Sequence, residues 1–370
     1  KMLRKKNIVL NGKKADGNEL IKATDEIQIF FSDETFDKFA GDDIGGNPNQ
    51  NVTKNSGVEN ENSGDRLHLI KDNLLFEDEN IIVVNKPENV LSQKAGRDDI
   101  SLTEIANEYL REKNEISSGF KAGVCNRLDR NTSGIVVIGK SMKGLHLMNL
   151  YFKERWIDKY YLCLVCGNFS REFDNYNKGV ENFDEDCGMQ DIQLKSNAFE
   201  EKSKTVKSNN PEKYFLVSDG NFLKDTKHNT VKVNVSTKKV LSLDEMKTNN
   251  TNHDSIYIKT AFRPIEHVSF KGHDYTLLEV KLFTGKSHQI RAHLRALGYP
   301  VVGDSKYGMK SEYNFLKKEI KINSQFLHAY RLEFSSDEFV DEAYRGAGFK
   351  AELFKNRKDI LRKLGFSGVD

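Results

Sequence analysis

An aspartate set between two arginines is the strongest chemical feature of the chain. In Cys125-Asn126-Arg127-Leu128-Asp129-Arg130-Asn131-Thr132-Ser133-Gly134, Asp129 lies between Arg127 and Arg130. Nearby opposite charge keeps a carboxylate ionised. Thr132, Ser133 and Gly134 predict a tight turn, and Ile135–Ile138 behind it predicts a β-branched strand. An ionised carboxylate on a loop at the mouth of a sheet can be a nucleophile or a general base. A surface Asp–Arg loop that only stabilises a turn fits the same residues. A second segment runs from Thr284 through Lys286, Ser287, His288, Gln289, Arg291 and His293 to Leu294, and on to Asp304, Tyr307 and Gly308. Gly285 marks a strand end, and Ser287 can cap a helix over Ser287–Leu297. Lys286 and the free amides at that helix start would make an anion site, with Arg291 one turn in. Phosphate binding and an ordinary capped helix both fit this segment.

Three other constellations fail on context. Gly134–Ser141 matches the spacing of a phosphate loop, but its four intervening residues are Ile and Val, which favour an extended strand. Cys163 and Cys166 fall in an expected strand, where positions three apart face opposite ways, so they read as packed cysteines and not as a zinc pair. His288 and His293 are five apart and lack the glutamate of a helical zinc motif, so a structural or RNA-facing role fits them better. No metal or cofactor is expected.

The elements around these motifs predict an α+β fold with a largely antiparallel, mixed sheet. Short strands are expected at Leu74–Phe76, Ile81–Val84, Ile135–Ile138 and Lys159–Val165. A hairpin follows over Phe222–Val235, then strands over Ile256–Val268, Tyr275–Phe283 and Gln325–Phe334. Helices are expected over Leu102–Lys113, capped by Ser101 with Glu104, and over Gly144–Phe152 and Glu352–Leu364. Residues 1–40 predict a small α/β fragment whose Asn11-Gly12 is a hairpin signal, flanked by Arg4, Lys5, Lys6, Lys13 and Lys14. Residues 41–66 predict a flexible linker, poor in apolar side chains. The main domain is expected over 67–370, with a polar insertion at about 168–213.

The chain has 370 residues and only four cysteines, which excludes a disulfide scaffold and favours a reducing cytoplasm. No run of 18 apolar residues exists, so no membrane-spanning helix is expected, and no signal peptide is visible. Because the chain starts at Lys1, a missing native N-terminus is expected. Net charge is only +2. From Lys259 to Phe334, however, 13 basic residues face 7 acidic ones, whereas residues 41–66 hold 2 basic and 5 acidic. A localised RNA-facing groove or a solvated basic face would give that distribution.

Taken in order, five motifs resemble the RluA family of RNA pseudouridine synthases, in particular the RluC and RluD type that modifies large-subunit ribosomal RNA. They are Ile81–Pro87, Asn126–Gly134, Lys159-Tyr160-Tyr161 running to Gly167, Thr284–Leu294, and Leu327-His328-Ala329. Residues 1–40 resemble the second half of an S-four type RNA-binding domain. The resemblance implies a pseudouridine synthase-like sheet with flanking helices and conversion of uridine to pseudouridine in RNA, most simply 23S ribosomal RNA. It implies Asp129 as the catalytic aspartate, Tyr161 as a tyrosine stacking on the target base, and Arg291 as the basic partner of Asp129. It places Arg127, Arg130, Lys286, His288 and Gln289 at the substrate and Leu327 in the wall of the base pocket. The pattern departs at Asn126, where His is common, and at Lys286-Ser287, where Arg-Thr is common. A non-catalytic RNA-binding or ribosome-assembly module on the same fold is the alternative. Monomer is the default oligomeric state.

Overall fold

The computed structural model describes residues 8–15, 24–30, 63–96, 99–115, 120–177, 199–200, 214–225, 230–242 and 257–367, with single positions 19 and 22. They belong to two compact units, Lys1–Glu59 and Asn60–Asp370. In the first, β1 (Ile8–Leu10) and β2 (Lys13–Lys14) form the expected hairpin, and β3 (Ile27–Ile29) pairs with the other edge of β1. Asn11 and Gly12 take φ of 49° and 76°, the two positive values that a two-residue hairpin turn demands. Arg4, Lys5, Lys6 and linker positions 41–62 lie outside the described residues.

The second unit carries strands β4 (Leu74–Glu77), β5 (Ile81–Lys86), β6 (Gly123–Val124), β7 (Ser133–Gly139), β8 (Ile157–Cys166), β9 (Phe199–Glu200), β10 (Tyr214–Asp225), β11 (Thr230–Ser242), β12 (Tyr257–Phe270), β13 (His273–Leu282), β14 (Leu327–Phe334) and β15 (Gly348–Lys350). Its described helices are α1 (Ser63–Lys71), α2 (Leu102–Glu112), α3 (Met142–Glu154), α4 (Phe169–Asn177), α5 (Gln289–Ala296), α6 (Lys310–Ile320) and α7 (Lys355–Leu364). The strands form one sheet in the order β11-β10-β12-β13-β8-β14-β7-β5-β4, with β6 on β7, β15 on β14 and β9 on β15. Among the described residues every pairing is antiparallel except β14 with β7.

Strand periodicity distributes the core over both faces. Val136 and Ile138 pack on one side with Leu110 of α2 and Leu294 of α5. Ile135 and Val137 pack on the other with Met148 and Tyr151 of α3. Strand β8 divides the same way, with Tyr161, Cys163 and Val165 on one face and Tyr160, Leu162, Leu164 and Cys166 on the other. The two thiols of the C-x-x-C are therefore buried on opposite faces, and burial pushes Cys166 up to about 12. The apparent phosphate loop is strand β7 and its end. Lys140 is committed to Glu77 at 2.8 Å and Glu115 at 2.6 Å.

Two expectations are corrected. The polar insertion does not begin at 168, because α4 buries Phe169 completely and Phe173 almost so. Two apolar anchors one turn apart suffice to dock an otherwise polar helix. Positions 178–198 and 201–213 lie outside the described residues, and β9 between them pairs with β15. The helix expected over Ser287–Leu297 begins only at Gln289, with His288 at its cap in a left-handed conformation, so Ser287 does not cap it.

The parallel pairing of β14 with β7 matters most for function. At the start of β7, Gly134 has φ +117°, and a Cβ there would lie 2.2 Å from the Ala329 carbonyl oxygen. Only glycine lets β14 approach the loop that carries Asp129. Beside it, the buried His328 has Nδ1 2.9 Å from Ser133 Oγ and Nε2 3.1 Å from the Ala351 carbonyl. The Ala351 carbonyl can only accept, so Nε2–H donates to it, and in the neutral ring Nδ1 accepts from Ser133 Oγ.

Burial pushes His328 down to about 4, and burial does the same to His293, also to about 4. Because unfolded histidine titrates near 6.5, the unfolded chain takes up protons that the folded protein refuses. The stability from these rings is whole above about pH 6.5 and is lost as pH falls toward about 4. Urea midpoints are expected to fall between pH 7 and pH 5. His328→Gln should remove about one proton from that slope; an unchanged slope would contradict the neutral, buried ring.

Candidate active site

The loop between β6 and β7 is held from below before it presents Asp129. Asn126 ties the loop to β7, donating from Nδ2 to the Ile135 carbonyl at 3.0 Å and accepting the Val137 amide at 2.8 Å. The Ser92 hydroxyl donates to the Leu128 carbonyl at 3.0 Å and accepts the Leu128 amide at 3.1 Å. Fully buried Lys86 donates to the carbonyls of Pro87, Val90 and Arg130 at 2.9, 2.9 and 3.1 Å. Burial brings its ammonium down to about 7, against the opposing pull of Asp129 and Glu88. The Thr132 amide closes the turn on the Asp129 carbonyl at 3.0 Å.

Asp129 then meets a guanidinium delivered by α5. Arg291 Nη1 donates to Asp129 Oδ2 at 2.9 Å. The opposite side of the same guanidinium is locked by Asp304, with Nε to Oδ2 at 2.6 Å and Nη2 to Oδ1 at 2.9 Å. Asp304 Oδ1 also accepts the amides of Lys306 and Tyr307. Its side chain is fully buried, whereas that of Asp129 is 30 % exposed. Despite its burial, hydrogen bonds and charge from Arg291 hold the Asp304 carboxyl below its usual range. The two carboxylates thus divide one arginine: the buried one fixes the guanidinium plane, and the accessible one is presented to solvent.

These groups open into one cleft of about 650 Å³. All nine residues singled out from the sequence line it, namely Asp129, Tyr161, Arg291, Arg127, Arg130, Lys286, His288, Gln289 and Leu327. Tyr161 and Leu327 come from adjacent strands, β8 and β14, and both are buried. Burial, aided by the charge of Asp129, raises the Tyr161 phenol well above its ordinary value, so the ring is neutral at pH 7. His288 places Nδ1 2.9 Å from the Tyr307 hydroxyl and Nε2 3.9 Å from Asp129 Oδ1. Burial lowers its pKa, which keeps it neutral. Exposed Arg130 reaches Asp99 at 3.4 Å.

Two sequence expectations change here. Gln289 lines the cleft, but its amide is not available to RNA. It is 2 % exposed; its Oε1 accepts Thr284 Oγ1 and the Lys286 amide, and its Nε2 donates to the Lys259 carbonyl and Thr260 Oγ1. The side chain clamps the Gly285–His288 loop onto β12. The Lys286 amide is therefore not one of the free donors expected at the helix start. Sequence reasoning also gave no role to Asp304, Lys86, Arg155 or Lys159. Asp304 was visible only as a residue beyond Leu294 in the second segment, with nothing to connect it to Arg291.

Among the residues lining the cleft Asp129 is the one acid, while Arg127, Arg130, Lys153, Arg155, Lys159, Lys286 and Arg291 are basic. Such a cleft suits a polyanion, with a single carboxylate among its lining groups. The fold points to a class. The solved structure titled Human RNA Pseudouridylate Synthase Domain Containing 4 superposes with a TM-score of 0.52, covering 82 % of this chain and 96 % of that one at 16 % identity. A family model described as RNA pseudouridylate synthase matches residues 80–296, which hold Asp129, Tyr161 and Arg291. The chain belongs to the RNA pseudouridylate synthase family, an enzyme family, as its motifs led one to expect.

Its relatives are distant. An uncharacterized RNA pseudouridine synthase of Mycoplasma genitalium is 28 % identical over 341 residues, 90 % of this chain and 79 % of that protein. Ribosomal large subunit pseudouridine synthase D of Borreliella burgdorferi is 25 % identical, over 70 % of this chain and 60 % of that protein. The tRNA pseudouridine(31) synthase of Saccharomyces cerevisiae is 26 % identical, over 73 % of this chain and 56 % of that protein. No described helix is long and apolar enough to cross a membrane.

Proposed function

We propose that this enzyme isomerises one or a few uridines in large-subunit ribosomal RNA, with Asp129 as the reacting carboxylate. The observation that carries the chemistry is the Arg291 guanidinium held between Asp304 and Asp129 in a basic cleft. In the reaction the bond from N1 of uracil to C1′ of the ribose breaks, the base turns, and C5 bonds to C1′. C5 loses its proton and N1 gains one, so the product is an isomer and no electrons leave. The Asp129 carboxylate either attacks as nucleophile or removes a sugar proton.

The target base must leave its stack, at a cost of a few kcal/mol. A neutral Tyr161 ring offers a stacking face worth about 1–3 kcal/mol. Leu327 supplies the apolar wall, and Arg127, Arg130 and Lys286 supply backbone contacts that position the strand. The relative named for the large ribosomal subunit favours ribosomal RNA as substrate. The hairpin and third strand at the N-terminus are consistent with part of an S-four type RNA-binding domain.

Pseudouridine mapping of ribosomal and transfer RNA, from cells with and without the gene, tests the substrate. Loss at discrete large-subunit positions is expected; loss confined to transfer RNA would move the substrate there. The basic cleft adds a second prediction. RNA affinity should fall steeply with salt, with a log–log slope near −0.9 for each neutralised phosphate on duplex and near −0.7 on single strands. A flat salt response would contradict docking through the cleft.

A further inference from the structure

We propose that Arg155 and Lys159 form a phosphate subsite in the same cleft, holding one backbone phosphate that flanks the nucleotide entering over Asp129. This deepens the function proposed above and rests on it. Arg155 is the residue that ends α3, in the left-handed conformation at φ 62° and ψ 33°. Glycine takes that conformation without strain, while a residue with a Cβ does not. Lys159 follows four residues later on β8, two before Tyr161, and therefore on the same strand face as the tyrosine. Both Arg155 and Lys159 line the cleft that holds Asp129.

Two neighbouring cations are paired with carboxylates. Lys281 meets Asp158 at 2.6 Å, and Lys153 meets Glu154 at 3.0 Å. Among the described residues Arg155 and Lys159 have no carboxylate within ion-pair distance. Burial, reinforced by Arg155 and opposed by Asp158, brings the Lys159 ammonium down to about 8. Above it the chain is bare, since a Cβ on Gly285 would be 3.9 Å from Lys159 Nζ. Two cations, one of them half-buried, thus line one cleft beside a residue with no side chain. A phosphate anion is the ligand that relieves this repulsion. An arginine past a helix C-terminus also offsets the helix dipole, but that role would register in thermal stability and not in the salt dependence of RNA binding.

The test uses the full chain and a hairpin fragment of large-subunit ribosomal RNA, with each flanking phosphate replaced in turn by a neutral methylphosphonate. Binding is measured on Asp129→Asn protein, with and without Arg155→Gly and Lys159→Gln; pseudouridine formation is measured separately on wild type. The added pair is expected to raise Kd about 10- to 30-fold and to flatten the log–log salt slope by about 0.7–0.9, the worth of one phosphate. One methylphosphonate position should weaken the parent and leave the variant unaffected. Arg155→Gly alone should hold or raise Tm, because it relieves the left-handed backbone. The charge-keeping pair Arg155→Lys and Lys159→Arg should bind within about threefold of the parent. An unchanged salt slope, or a methylphosphonate profile identical in parent and variant, overturns the subsite. If wild type binds the hairpin but makes no pseudouridine in it or in any other large-subunit RNA, the proposed function itself fails, whichever way the slope moves.

Discussion

Replacing Asp129 with Asn is expected to abolish pseudouridine formation, by at least about 10⁴-fold, while RNA affinity stays within about threefold of wild type. The amide keeps the size of the side chain and can still accept from Arg291 Nη1, but it can neither attack ribose nor take a sugar proton. Arg291 keeps its bidentate hold on Asp304, so the fold should scarcely notice the change. Chromatography of nucleosides from digested RNA would count the product, and filter binding would give the affinity. Appreciable turnover by Asp129→Asn would remove this carboxylate from the mechanism.

Arg291→Met is expected to damage both stability and turnover, and the two effects can be separated. Removing the guanidinium strands the Asp304 carboxylate in a site with no solvent access. Breaking a buried pair from one side typically costs about 3–5 kcal/mol. Turnover should fall by about 10²-fold or more, because Asp129 loses the donor that orients it. Adding Asp304→Asn to Arg291→Met removes the stranded charge and can keep Oδ1 on the amides of Lys306 and Tyr307. That double variant should regain most of the lost stability, read from urea midpoints, without regaining turnover. If turnover returned with stability, Arg291 would be structural only.

The sequence made some of this legible and hid the rest for physical reasons. Strand β7 and the loop before it could be read locally: a polar turn followed by four β-branched residues leaves few alternatives. The capping of α2 was equally local, with Glu104 accepting the Ser101 amide and hydroxyl as its spacing implied. Asp129, Tyr161 and Arg291 were named through motif order, and the fold brings them to one cleft from a loop, a strand and a helix. Asp304 could not be named, because its meaning depends on a turn that carries it back to Arg291, 13 residues earlier in the chain. Gln289 misled because a polar side chain beside a helix start suits RNA and loop clamping equally; only its four internal partners decide. Helix α4 was hidden by composition, its two buried phenylalanines outnumbered by polar neighbours. Helix α6 was missed although Glu312, Leu316 and Ile320 mark its buried face at intervals of four.

The central claim is that the Asp129–Arg291 pair isomerises uridine within RNA. Single-turnover tritium release measures it most directly, using unmodified large-subunit ribosomal RNA transcripts labelled at carbon-5 of uracil and excess wild-type protein. One tritium released per pseudouridine formed, at a small number of sites, is the predicted result. Saturated RNA binding with no tritium released from ribosomal or transfer RNA would contradict it and leave the protein an RNA-binding module on a synthase fold.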